Sequence, residues 1–474
     1  MTQRQKQTTP PRPLELASRM LPSDALFWYA EEALPDFRST IAGLYVLGNV
    51  PDAARLDATL ESAIALVPRL RQRVLAVPFH LGLPEWVDDP HFERRYHLRH
   101  VSLAPPGDER HLLDLAATLF ATPFDRERPL WEATWIEGLA GGRSAYFVKM
   151  HHSMVDGVGA SAITNAITQT ARGETSPRIA RPPARGLPTP AAQLATLARD
   201  NVRSSVDLAR RGVAGALRGL GRPRETLVNA ASALRGMRAL VADALRPAAR
   251  DPLSRESAGI SRRFDVLDLD LERLRKLRGP LGATVNDVVL AALAGALGSY
   301  YRSRDHDLDT LKCLVPMNLR GRADGDAMGN RVGMFNVQLP VGEESAVRRL
   351  ERVCEQTRAA KQDQRGSAGP IFVELATSLP GGVFRWIARQ AVGQVNVACT
   401  NVPGARETRY MAGAEVEAVY PFASVMQGTP VVMALLSYAG TLHIGIDTDP
   451  EAIPDPQRIA ELFKANVAML EALA

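Results

Sequence analysis

Cysteine is scarce in this sequence. The three cysteines among the 474 residues, Cys313, Cys354 and Cys399, are far apart and form no Cys-x-x-Cys pair. This pattern predicts neither a disulfide framework nor a zinc site, and it fits a reducing cytoplasm. The N-terminus also lacks the continuous apolar stretch of a signal peptide, because basic and polar residues lead directly into three closely spaced prolines. We therefore expect a cytoplasmic protein.

Long apolar runs are missing as well. A membrane-spanning helix requires about 20 consecutive apolar residues. The most apolar piece of the chain, Val431 to Leu436, is short enough to be a buried strand. Any membrane contact is therefore expected to be peripheral.

The positive charge is concentrated in one segment. The whole chain has a formal net charge of +5, whereas residues 201–250 contain ten arginines and three acidic residues, a local balance of +7. The segment has the pattern of interrupted amphipathic helices, which is compatible with a solvated helical crossover or with peripheral binding to anionic lipid. No nucleic-acid partner is indicated.

Length and composition indicate two α/β domains. Hydrophobic residues make up 46% of the chain and charged residues 23%, which is the balance of a soluble globular protein. Helical and strand-like patterns alternate in both halves, and a stretch with five prolines, 176–190, separates them. The predicted parts are a disordered tail (1–14), an N-terminal domain (15–175), a proline-rich linker with the basic helical crossover (176–255) and a C-terminal domain (256–474).

Individual elements follow from the same patterns. Apolar residues recur at helical spacing from Leu56 to Leu70 and from Leu112 to Leu119. Thr284 and Asp287 have the spacing of a capping box ahead of an Ala/Leu-rich helix. Runs rich in β-branched or aromatic residues predict strands, at 129–136, 145–150, 264–269, 310–315, 332–339, 394–400, 431–438 and 442–447.

The chemistry is concentrated in one motif, His151-His152-Ser153-Met154-Val155-Asp156-Gly157. A predicted strand ends here, a tight polar loop follows, and Gly157 begins a helix. A neutral imidazole titrates near the working pH and can remove a proton from a hydroxyl group, so a histidine is the candidate general base. Asp156 precedes the helix, where it can cap the exposed N–H groups and hold the loop rigid.

Two other interpretations of this motif are a metal site and a structural role. His151 and His152 are adjacent and point in different directions, and His152 with Asp156 supplies too few ligands for a closed metal site. In the structural interpretation, two histidines pack in a core beside a helix-capping aspartate. Other segments of the chain favour the catalytic interpretation.

These segments carry a family resemblance. HHSMVDG resembles the HHxxxDG motif of CoA-dependent acyltransferases, and the whole set resembles bacterial wax ester synthase/diacylglycerol acyltransferases, in the family order from residue 21 to about residue 440. The matching segments are Leu21–Phe27, Pro129-Leu130-Trp131-Glu132, Asn286-Asp287, Gly329-Asn330 and Thr400-Asn401-Val402-Pro403-Gly404. Ala405 and Arg406 depart from the family, which often has another proline there, and this departure concerns acceptor preference more than reaction type.

The resemblance implies two acyltransferase-like α/β domains with mixed sheets, joined by the crossover and enclosing a tunnel that reaches His152 from both sides. It implies transfer of a long-chain acyl group from acyl-CoA, a substrate and not a cofactor, to diacylglycerol or a long-chain alcohol. The product would be triacylglycerol or a wax ester, made near an inner membrane or lipid-droplet surface. No cofactor and no metal are implied.

The resemblance also assigns roles to residues. His152 would be the general base, Asp156 would orient the loop with Arg320 as a candidate partner, and His151 would shape the site. Backbone N–H groups or Asn286 would stabilise the oxyanion. The other motif residues would bind substrate or shape the site, namely Gly157, Pro129, Leu130, Trp131, Asp287, Asn330 and Asn401.

Two alternatives to the lipid acyltransferase remain. The HHxxxDG class also contains carrier-protein-dependent acyltransferases and condensation-type enzymes, and a catalytically silent lipid-binding protein could use the same scaffold. In each catalytic case we expect direct transfer, because no serine or cysteine lies in a recognisable nucleophile setting. Ser153 has no G-x-S-x-G elbow, and its side chain diverges from that of His152.

Overall fold

The computed structural model describes most of the chain in two sheet-rich layers of mixed α/β structure. Apart from a few isolated positions, the described residues are 16–34, 37–77, 82–155, 157–181, 251–255, 259–277, 282–318, 332–364 and 394–472. The predicted α/β class is therefore confirmed. The crossover predicted within 176–255 lies almost entirely outside the described residues.

Within the described residues, the α-helices are Pro22–Ala33 (α1), Ala53–Leu66 (α2), Arg94–His97 (α3), Glu109–Ala121 (α4), Gly157–Ile167 (α5), Leu271–Lys276 (α6), Val285–Arg302 (α7), Ala346–Gln364 (α8) and Pro456–Glu471 (α9). The strands are Thr40–Leu47 (β1), Gln72–Leu75 (β2), Glu85–Asp88 (β3), Leu98–Ser102 (β4), Trp131–Glu137 (β5), Ser144–His151 (β6), Arg263–Asp270 (β7), Leu311–Asn318 (β8), Val332–Leu339 (β9), Val397–Pro403 (β10), Tyr410–Met411 (β11), Ala414–Ala423 (β12), Val431–Tyr438 (β13) and Thr441–Thr448 (β14).

The first sheet has the strand order β11-β12-β1-β6-β5-β4. All eight residues of β6 are buried, which explains its nearly continuous apolar sequence between β1 and β5. The antiparallel register of β1 and β6 places Thr40 opposite His151. The end of β6, where the histidine motif begins, is therefore fixed against the start of β1.

The second sheet has the order β7-β14-β13-β10-β8-β9, with β10 parallel to both β8 and β13. Its core includes residues of α7, α8 and α9 together with every second residue of the strands. Helix α7 is buried along almost its whole length, since its Ala- and Gly-rich sequence allows close packing. The predicted capping box is confirmed at its start, because the Thr284 and Asp287 side chains each bond the other's backbone.

Strand β12 joins the two layers. It comes from the C-terminal half of the sequence, yet it pairs antiparallel with β1 in the first sheet. Strand β12 also lies very close to Gly445 of β14 in the second sheet. A Cβ added to Gly445 would lie 2.0 Å from the Pro421 carbonyl oxygen of β12. Phe264 and Phe422 stack beside this point with ring centroids 3.8 Å apart. The division of the sequence at residue 256 therefore does not coincide with the division of the sheets.

The described helices include none that has both the length and the hydropathy needed to cross a bilayer.

Candidate active site

The histidine motif forms a tight turn between β6 and α5, held by main-chain hydrogen bonds. His151 donates its backbone N–H to Leu130 O (2.9 Å), and Met154 donates to His151 O (2.9 Å). His152 donates its backbone N–H to Ser39 O (2.6 Å) in the loop before β1. The predicted strand, loop and helix are all present, and α5 begins at Gly157 as expected. The turn is thus fixed from two sides.

The Pro129-Leu130-Trp131 segment lies directly beside this turn. Its carbonyl at Leu130 is the acceptor for His151, and Trp131 is paired with Met150 in the sheet. The Trp131 indole donates to Leu70 O (2.7 Å) and stacks on His97 at 4.8 Å. The segment therefore fixes the strand that supports the motif.

His151 points into the protein interior. Ser153 donates its backbone N–H to His151 Nδ1 (3.1 Å), and Ser153 Oγ lies 2.7 Å from the same nitrogen. An N–H group can only donate, so Nδ1 supplies its lone pair and carries no proton. The proton of the neutral ring is then on Nε2, which lies 3.2 Å from Glu31 Oε2. With the ring 1% exposed, His151 has no lone pair to offer a substrate hydroxyl.

His152 has a different environment. Its side chain is only partly buried, and its imidazole stacks on Phe27 with ring centroids 4.0 Å apart and an interplanar angle of 11°. Phe27 belongs to α1, so this helix forms one wall of the site. Stacking fixes the plane of the His152 ring while leaving the in-plane nitrogens directed away from the aromatic face. Of the two histidines, His152 is the less buried.

A buried charge cluster supports the strand that carries the motif. Lys149 is 1% exposed, and its Nζ donates to Thr122 O (2.7 Å) and lies 3.3 Å from the Glu132 carboxylate. Burial lowers the pKa of Lys149, and the charge of Glu132 opposes that effect. The ammonium group also lies 4.9 Å from the ring centroid of Phe124, which packs edge-on against His151. The cluster thus holds the loop after α4 against His151.

The predicted site residues Asn286 and Asn401 contact each other beside the second sheet. Asn401 of β10 donates its side-chain N–H to Asn286 Oδ1 of α7 (2.5 Å). Asp287 has a structural role, since one oxygen caps α7 and the other accepts from Thr357 Oγ1 of α8 (2.7 Å). Asp156, Asn330 and Arg320 lie outside the described residues, so their roles remain predictions.

Sequence reasoning missed Glu31, Ser39 and Lys149. A lysine in an otherwise apolar strand just ahead of the motif was a visible signal for a buried, paired charge. Glu31 and Ser39 gave no such signal, because their contacts with His151 and His152 span more than a hundred positions of sequence.

Comparisons with known proteins identify the family of this chain. Residues 20–289 match the family model of the wax ester synthase/diacylglycerol acyltransferase catalytic domain, and residues 328–471 match that of the WS/DGAT C-terminal domain. A protein of Mycobacterium tuberculosis (strain CDC 1551 / Oshkosh), named probable diacylglycerol O-acyltransferase tgs1, is 30% identical over 461 residues, which is 95% of each chain.

Solved structures show the same fold. The wax ester synthase/diacylglycerol acyltransferase from Marinobacter aquaeolei VT8 superposes with a TM-score of 0.64 at 26% identity, covering 96% of this chain and 99% of its own. The starter condensation domain of rhizomide synthetase superposes with a TM-score of 0.59 at 14% identity, covering 98% of this chain and 95% of that domain. At this identity the similarity is one of fold alone. The chain is an acyltransferase that belongs to the wax ester synthase/diacylglycerol acyltransferase family.

Proposed function

We propose that this enzyme transfers a long-chain fatty acyl group from acyl-CoA to the hydroxyl group of diacylglycerol or a long-chain alcohol, with His152 as general base. The products are triacylglycerol or a wax ester, and free CoA. The observation that carries the assignment of the base is the contrast between the two imidazoles. His151 Nδ1 accepts the Ser153 N–H and His151 Nε2 lies 3.2 Å from Glu31 Oε2 in the interior, whereas the His152 ring is only partly buried against Phe27.

The proposed step is a single displacement. His152 removes the hydroxyl proton as the acceptor oxygen attacks the thioester carbonyl, and backbone N–H groups or Asn286 donate to the oxyanion that forms. The C–S bond then breaks, and the imidazolium returns its proton to the departing CoA sulfur. Asp156 is assigned the task of orienting the motif loop during this cycle. No group other than the two substrates is needed to balance the reaction.

An assay with palmitoyl-CoA and either hexadecanol or dioleoylglycerol tests the function. Free thiol should appear only when an acceptor is present, together with the matching ester in the lipid extract. The enzyme could instead be inactive with both lipid acceptors and release thiol only when an acylated carrier protein is the donor or an amine is the acceptor. That result would favour a condensation-type enzyme. Saturable lipid binding without turnover would indicate the silent scaffold.

The order of the chemistry gives a further prediction. Acyl-CoA alone should release little thiol, because a base that acts on the acceptor has no proton to remove until the acceptor binds. Ser153 is hydrogen-bonded to His151, two positions before it, rather than to His152. The contact with His151 was not expected from the sequence. Because Ser153 is only 1% exposed, its hydroxyl is screened from a thioester carbonyl.

The Ser153→Ala variant should accordingly keep catalysis within about tenfold, the loss of one buried hydrogen bond of roughly 1 kcal/mol. In the native enzyme with acyl-CoA alone, rapid-quench thiol measurement should show no burst, and intact-protein mass spectrometry should show no acyl adduct. A stoichiometric burst, with the acyl group trapped on Ser153, would overturn direct transfer while leaving the reaction class unchanged.

Peripheral membrane contact belongs to the same proposal. The +7 balance of residues 201–250 would attract the enzyme to an anionic inner-membrane or lipid-droplet surface, where its substrates collect, and each basic residue near such a surface contributes about 1 kcal/mol. The enzyme should float with phosphatidylglycerol vesicles at low salt and be released at high salt, because salt screens the attraction. Neutral phosphatidylcholine vesicles are the control. Equal recovery on both vesicle types at every salt concentration would leave only the crossover role.

A further inference from the structure

One face of helix α1 contacts both histidines of the motif. Phe27 stacks on His152, as described above, and Trp28 packs edge-on against His151 with ring centroids 6.0 Å apart. One turn later, Glu31 places its carboxylate against His151. These three residues occupy positions i, i+1 and i+4 of the helix, so they project toward the motif from neighbouring parts of one surface.

The Glu31 carboxylate contacts both sides of the turn through a single oxygen. Its Oε2 accepts the backbone N–H of Ser39 (2.8 Å) and lies 3.2 Å from His151 Nε2. Ser39 in turn accepts the backbone N–H of His152 and donates its hydroxyl to Phe27 O (3.0 Å). Glu31 thus acts on His151 directly and on the main chain of His152 through one intervening residue.

Glu31 is ionised in this setting. Burial raises the pKa of Glu31, whereas the contact with His151 Nε2–H, the hydrogen bond from the Ser39 amide and the charge of Arg126 lower it, and the pKa of Glu31 lies below its ordinary value. A carboxylate can only accept hydrogen bonds, and it therefore requires a proton on the His151 Nε2 that faces it. The Ser153 N–H donates to His151 Nδ1, so this second ring nitrogen must carry no proton.

We propose that Glu31 is a positioning residue for acyl transfer, which holds His151 in its Nε2–H form and, through Ser39, fixes the main chain of His152. This inference rests on the proposed function of His152. The order Glu31, His151, Ser153 has the outline of a carboxylate, histidine and serine relay. The burial of Ser153 and the second bond to Nδ1 from its own backbone make this relay a brace for the turn rather than a nucleophile.

Substitution of Glu31 tests the proposal through the division between kcat and KM. Glu31→Ala should lower kcat by up to roughly 100-fold, the effect of misplacing a catalytic group by about 1 Å, while KM for palmitoyl-CoA stays within about twofold. Glu31→Gln keeps an oxygen that can accept both hydrogen bonds and loses only the charge. It should therefore recover to within about tenfold of the native kcat.

The adjacent Glu32 supplies a matched control. It lies on the same helix and pairs with Arg126 (3.3 Å), whose charge also acts on Glu31. Glu32→Ala should leave kcat within about twofold of native. Equal effects of Glu31→Ala and Glu32→Ala on kcat would overturn the proposal, as would a Glu31→Gln variant no better than Glu31→Ala.

The protonation of His151 gives a readout that does not depend on activity. In full-length protein with ¹⁵N-labelled histidine, the His151 signals, assigned with a His151→Asn variant, should show a protonated Nε2 and a bare Nδ1. Glu31→Ala should weaken this preference, and Glu32→Ala should preserve it. A native His151 protonated at Nδ1 overturns the proposal. If no acceptor supports turnover, the proposed function fails and the role in acyl transfer fails with it, whereas the nitrogen signals separately show whether Glu31 holds His151 in its Nε2–H form.

Discussion

Replacement of His152 with alanine should lower kcat by about 10²- to 10⁴-fold, the usual contribution of a general base. The structure explains why little else should change. The side chain is only partly buried, and the hydrogen bond from its backbone N–H to Ser39 does not depend on the imidazole. The thermal midpoint should therefore remain near the native value while free-thiol release with an acceptor is nearly lost.

The neighbouring His151→Ala variant should behave in the opposite way. It removes a buried ring that bonds Ser153 and lies against Glu31, so it should reduce stability more than His152→Ala does while retaining more activity. Circular dichroism would establish that both variants fold, and thiol release would rank their activity. An inactive His151→Ala beside a nearly normal His152→Ala, both folded, would reverse the assignment of the base.

Gly445→Ala should produce the largest loss of stability among single methyl additions to β14. An added Cβ would lie 2.0 Å from the Pro421 carbonyl oxygen and 2.9 Å from the Phe422 ring, and neither the strand backbone nor the stacked ring can withdraw easily. Overpacking of this kind costs about 3 kcal/mol, the upper end of the usual range. For a chain of 474 residues the thermal midpoint should therefore fall by roughly 3 °C.

Gly173→Ala is the matched control for this prediction, because an added Cβ there has no heavy atom within 4 Å among the described residues. Its midpoint should stay within about 1 °C of native, the range of a surface change. A Gly445→Ala protein as stable as Gly173→Ala would mean that the two sheets do not approach each other as closely at β12 as the structure has them.

Local patterns were sufficient for much of the fold. The short apolar runs that became β13 and β14 end within a residue or two of their predicted limits. The capping box of α7 was recognisable because Thr284 and Asp287 are three positions apart. Interactions of this kind depend only on residues close together in sequence, so propensity and periodicity can predict them.

Contacts between distant segments were not predictable in the same way. Strand β12 has partly alternating burial and contains Pro421, and nothing near it in sequence indicates a partner in β1. The site shows the same limit. His152 is recognisable from its motif, whereas the role of Glu31 depends on three segments that meet only in the folded chain.

The placement of β12 has a consequence for synthesis. Strands β1 and β6 leave the ribosome long before β12, and at roughly 5 to 20 residues per second the interval is on the order of tens of seconds. Until β12 arrives, one edge of β1 presents unpaired N–H and C=O groups, a template for pairing with other chains. Truncated products that end before residue 414 should therefore aggregate. A cut within the proline-rich stretch 176–190 should likewise leave an N-terminal fragment that is soluble only when the C-terminal fragment is made with it.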